Sequence, residues 1–94
     1  MSAYRFTEFT SPDLNKVFKF SGILREDIAA DGAEFIDIVA LGDDRGLVIA
    51  KYSNQAVMEA PTDINQAAFG KMIAAGIINR DSISGRFGAV DFTF

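Results

Sequence analysis

The sequence contains no cysteine, no histidine and no tryptophan, and only two prolines in 94 residues. Without cysteine there is no disulfide, no thiolate metal site and no cysteine nucleophile. Without histidine, a His-containing triad, an imidazole general base and a His-ligated zinc site are excluded. An enzyme built from this chain would have to work through carboxylates, Lys, Tyr or Ser. Long apolar runs are missing too. The most apolar window, residues 67–78, is interrupted by Lys71 and two glycines, whereas a membrane-spanning helix needs about 20 predominantly apolar residues. The first residues lack the basic start and continuous apolar stretch of a signal peptide. The expectation is therefore a cytoplasmic protein with no membrane association. A strong charge of either sign is also absent. The formal net charge of −4 disfavours a broad duplex-binding surface, which requires a basic footprint.

What the chain does contain is ordinary for a globular protein: 49% hydrophobic and 23% charged residues. Nine phenylalanines argue against disorder, because disordered chains are poor in aromatics. No linker, repeat or low-complexity tract divides residues 1–94, so they read as a single domain. A domain of this size buries roughly 60–70% of the surface its unfolded chain exposes, enough to fold without staples.

Alternation of apolar and polar residues predicts a short strand over Tyr4 to Phe9. Ser11-Pro12-Asp13 follows as a turn or helix start, with Ser11 as N-cap and Pro12 at the first helical position. The run Val17 to Leu24 reads as a second strand, with Phe18, Phe20 and Leu24 on one face. Asp27 to Gly32 reads as a connection. The clearest segment is a β-hairpin over residues 34–52. Its first strand, Glu34 to Leu41, is apolar on both faces except at Asp37, which predicts an inner strand covered on both sides. The glycine-bounded loop Gly42 to Gly46 then leads into a returning strand, Leu47 to Tyr52. Ser53 to Ala60 reads as a short edge strand or a loop. The main helix is expected over about residues 62–75, capped by Thr62, striped by Ile64, Ala68, Met72 and Ala75 and stopped by Gly76. A last strand covers Ser84 to Phe94. The expected class is α+β: one small domain with a mostly antiparallel sheet of four to five strands and one main helix, either OB-like or a helix packed on a sheet.

Three patterns bear on chemistry. Aromatic and basic residues interleave at Arg5-Phe6, Phe18-Lys19-Phe20 and Arg86-Phe87, as in proteins that stack bases and track phosphates of single strands. Alternating strands nevertheless bury Phe and expose Lys as a matter of course. The segment Gly85 to Phe92 partly resembles the first RNP motif of RNA-recognition domains, matching at Phe87, Gly88, Val90 and Phe92. Gly85 and Arg86 stand in reversed order, however, and Ala89 occupies the place of a stacking aromatic. The acids Asp43 and Asp44, with Asp27, Asp31 and Asp37 elsewhere, are oxygen ligands suited to a hard cation, but adjacent aspartates in a hairpin loop ordinarily form turns. Asp37, if buried, would need a partner such as Lys51; an exposed or interfacial place on its strand is the simpler reading.

No motif has the specificity of a catalytic signature. These observations lead to the expectation of a non-enzymatic protein-binding module, a small regulator or inhibitor docking on a larger protein or complex. Its supposed contact residues are Arg5, Phe6, Lys19, Asp43, Asp44, Arg86 and Phe87. The alternatives are an OB-like binder of single-stranded nucleic acid and a carboxylate-dependent metal hydrolase. No cofactor is implied, and homo-oligomerisation through an edge strand is open.

Overall fold

In the computed structural model, which describes residues 2–23, 32–60 and 62–91, the first strand is an inner one. This strand, β1 (Ala3–Thr10), pairs antiparallel with β3 (Arg45–Tyr52) on one side and with β4 (Ser84–Ala89) on the other. The first half of the predicted hairpin, β2 (Phe35–Ala40), pairs antiparallel with β3. Among the described residues the sheet therefore has four strands, in the order β2-β3-β1-β4. Helix α1 (Leu14–Ile23) connects β1 to β2. A five-residue helix, α2 (Gln55–Glu59), and the main helix, α3 (Thr62–Ala74), connect β3 to β4 through a 3₁₀ turn at Arg80–Ser82. The expected α+β class with a four-stranded antiparallel sheet and one main helix is what the chain forms. The OB-like variant is not, because the sheet is open rather than closed into a barrel.

The structure differs from the sequence reading in four places. First, Val17 to Leu24 is not a strand; as far as Ile23 it is α1. The Oδ1 of Asp13 accepts a hydrogen bond from the Asn15 N–H at 3.1 Å, which caps the helix one residue before Leu14. Leu14 and Val17 are buried and Phe20 packs against the same core, a stripe three residues apart that only a helix presents on one face. Ser11 is a tether rather than the cap: its Oγ accepts from the Asp13 N–H and donates to the buried carbonyl of Ile77. Second, β2 is an edge strand with one face open, not an inner strand covered on both sides. Third, residues 55–59 are helical, with the Asn54 side chain accepting from the Val57 N–H at 2.9 Å. Fourth, β4 ends at Ala89, with Val90 and Asp91 outside it; the rest of the strand expected to Phe94, residues 92–94, lies outside the described residues. The expected connection over residues 27–32 lies outside the described residues apart from Gly32.

The main helix ends as its sequence indicates. Gly76 adopts φ +75°, its N–H donates to Ile73 O at 3.0 Å, and the Ile77 N–H donates to Met72 O at 3.1 Å. This is a Schellman C-cap, with glycine supplying the left-handed residue and Ile77 touching Met72 in the core. In the helix stripe it is Ile73, rather than the exposed Ala75, that packs inward.

Both helical connections lie on one face of the sheet. Phe9, Val48 and Ile38 meet Leu14, Val17, Met72, Ile77 and Ile78 in the larger core cluster, while Ala3, Ala50, Tyr52 and Met58 form a second. Phe9 is fully buried, and its register partner on β3 is Gly46. The ring lies over that glycine, so that a Cβ at Gly46 would be built into it. Replacing Gly46 by Ala should destabilise the fold by about 1–3 kcal/mol, the usual cost of overpacking. Urea denaturation checks this, and combining Gly46→Ala with Phe9→Leu should lose less than the two separate losses summed.

Candidate functional site

Between the sheet and the helices lies a small cavity of about 40 Å³. Its floor is Phe9, Ile36, Ile38 and Val48 from the sheet, and its walls come from α1, α3 and Ile78. Nine of its eleven lining residues are apolar; the polar two are Ser21 and Asn65. Ser21 reaches the cavity from the last turn of α1, where its hydroxyl donates to Val17 O at 2.8 Å. That bond occupies its proton and leaves the oxygen as an acceptor. Asn65, from the first turn of α3, adds a carboxamide, which offers both donors and an acceptor. A chamber with apolar walls and few convergent polar groups is the ordinary form of a small-molecule site. At about 40 Å³ it admits water-sized molecules, whereas an apolar cavity needs roughly 150 Å³ to hold a benzene ring. A ring-bearing ligand therefore needs the walls of the cavity to move apart.

A second concavity opens where the helices leave β4 uncovered. Arg5, Thr7, Met58, Glu59, Gly85, Arg86 and Phe87 line a groove of about 330 Å³. In it the Arg5 guanidinium donates to Met58 O at 2.8 Å, tying β1 to α2.

The residues expected to bind a partner do not form one site. Arg5 and Phe87 are register partners on the helix-covered face, Phe87 being 67% exposed. Phe6 and Arg86 are register partners on the opposite face. Lys19 is exposed on α1, and Asp43 and Asp44 are exposed in the hairpin loop, where Asp44 O accepts from the Ser11 N–H at 2.7 Å. Asp37 is exposed and opposite Ile49, while Lys51 pairs instead with Glu34 at 3.5 Å. Among the described residues no three acids come together as a metal site. Asp27 and Asp31 lie outside those residues. No described helix is long and apolar enough to cross a membrane.

The open face of the sheet is the feature that sequence patterning missed. The strand registers place its side chains in rows across β4, β1, β3 and β2. One row is Gly88, Tyr4, Lys51 and Phe35; the next is Arg86, Phe6, Ile49 and Asp37; the third is Ser84, Glu8, Leu47 and Val39. Phe6, Phe35 and Val39 are each about 40% exposed, and the Tyr4 and Phe6 rings stack at 5.9 Å. Apolar side chains thus occupy half of these twelve positions.

No protein-family model matches the sequence, and no curated protein matches it. Solved structures do share the fold. A protein of unknown function from Nitrosomonas europaea is 12% identical with a TM-score of 0.77, the match covering 99% of this chain and 92% of that one. A dimeric ferredoxin-like protein from an uncultured marine organism is 16% identical with a TM-score of 0.67, over 99% and 90%. SnoaB, a cofactor-independent oxygenase from Streptomyces nogalater, is 11% identical with a TM-score of 0.66, over 98% and 95%. At these identities the likeness is one of fold, and the fold is ferredoxin-like. The expectation of a non-enzymatic protein-binding module is corrected by it: this architecture, over almost the whole chain, is also that of an oxygenase.

Replacing Ile38 by Ala should enlarge the cavity at a cost of about 2–3 kcal/mol, toward the low end for such truncations because Ile38 is only half-buried. Urea denaturation of Ile38→Ala against the parent protein checks this.

Proposed function

We propose that this chain is a small enzyme whose reaction chamber is the cavity between sheet and helices, and that its reaction is an oxygenation of an apolar, ring-bearing substrate. The observation that carries this reading is the chamber itself. Its nine apolar lining residues and two polar ones, Ser21 and Asn65, supply a dry enclosure with a small number of orienting groups. The shared fold with a cofactor-independent oxygenase supports the reaction class. Dioxygen chemistry is ordinarily carried by a cofactor. Without one, the substrate itself must give electrons to dioxygen, which restricts it to ionisable, electron-rich ring systems such as phenols. The protein's part is to bind the ring, exclude water and hold the developing oxyanion. Within the chamber Asn65 carries the carboxamide suited to that last task, its two N–H groups being hydrogen-bond donors. In this reading α3 opens at Phe69 to admit the ring and closes over it, since the closed chamber is too small to hold one.

We also infer that the chain self-associates, a reading supported by the dimeric state named for one similarly folded protein.

Oxygen uptake with a panel of phenols tests the proposal. One or more should be consumed by the parent protein, and Asn65→Ala should lower kcat/KM by about a hundredfold if its amide holds the oxyanion as proposed. No uptake with any member, or full activity in Asn65→Ala, contradicts it.

A further inference from the structure

The open face of the sheet carries a charge pattern that selects one way of covering it. We propose that a second copy of this chain packs face to face on it about a two-fold axis running along the strands, with Arg86 of each copy paired to Asp37 of the other. The proposal rests on the self-association reading and gives it a surface and a geometry.

In the middle row, Arg86 on edge strand β4 and Asp37 on edge strand β2 flank Phe6 and Ile49. Two identical sheets stacked face to face have two directions available for their two-fold axis. An axis across the strands lays β4 on β4 and β2 on β2, so a centred stack sets Arg86 against Arg86 and Asp37 against Asp37. Like charges brought together in a desolvated interface are strongly unfavourable. An axis along the strands instead reverses the strand order of the second sheet, laying β4 over β2 and β1 over β3. Arg86 then meets the opposite charge of Asp37, and symmetry makes the pair twice. In the same stack Phe6 meets Ile49.

The flanking rows agree with this choice. Along-strand stacking sets Tyr4 over Lys51, Glu8 over Leu47, Gly88 over Phe35 and Ser84 over Val39, so no position faces its own charge. Aligned packing of two sheets with interdigitating inner faces is one of the two standard sheet-on-sheet arrangements. It also explains an otherwise costly feature: Phe6, Phe35 and Val39 are exposed together on one surface, and a cluster of that kind marks an interface. The edge-strand route is less suited, because β4 carries glycine at two of six positions, Gly85 and Gly88, and offers few side chains to pack.

Sedimentation equilibrium on the full chain and three variants tests this. The parent protein should be a dimer at micromolar concentration. Asp37→Arg and Arg86→Asp should each weaken dimerisation by about tenfold or more, since each sets two like-charged pairs against one another. The double variant Asp37→Arg with Arg86→Asp restores opposite charges and should return to within a few-fold of the parent. Both sites are exposed, and circular dichroism confirms that the variants fold. A monomeric parent overturns the self-association reading and this inference together. A dimer that is indifferent to the single reversals, or not recovered by the double reversal, overturns the geometry alone. The oxygen-uptake result bears on neither.

Discussion

The register of β1 is the constraint on which the rest of this structure depends. It is bonded on both sides, so its period-two alternation is imposed on its neighbours. With Ala3, Thr7 and Phe9 turned to the helices, Tyr4, Phe6 and Glu8 must face the other way. A slip of one residue would expose the fully buried Phe9 and bury Glu8 against α3. Gly46 fixes the same register from the other strand, because a Cβ there would run into the Phe9 ring.

Once that register is set, the two faces of the sheet take on different tasks. The covered face, with α1 and α3, encloses the chamber of Ser21 and Asn65. The open face keeps apolar residues in its centre and places opposite charges on opposite edges. A two-layer domain with one apolar outer face has a reason to pair with itself. Pairing there would leave the chamber undisturbed, since chamber and interface lie on opposite sides of the same strands.

Much of the fold was legible in the sequence, and what was not has identifiable causes. The hairpin over residues 34–52 and the helix beginning at Thr62 were readable because alternation, turn glycines and the Gly76 stop agree with one another. Helix α1 was misread because Phe18 and Phe20 simulate the alternation of a strand; in fact Phe18 is exposed and Phe20 packs inward with Val17. β2 was read as an inner strand because it is apolar on both faces. An edge strand with apolar residues on its outer face has the same composition as a buried one, so pattern alone does not separate them. The chamber was missed altogether, since Ser21 and Asn65 belong to no motif and meet only through the packing of α1 and α3. Arg86 and Phe87 were singled out for their interleaving, but neighbouring strand residues point to opposite faces, and only Arg86 belongs to the open one.

If a second copy covers the open face of the sheet with its strands reversed in order, the two copies touch at the centre of that face. The most direct measurement is an isotope-filtered nuclear Overhauser experiment on dimers mixed from labelled and unlabelled chains. The account predicts intermolecular contacts between the Phe6 ring and the Ile49 methyl groups. Intermolecular contacts confined to the β4 edge, or none involving Phe6, would contradict it.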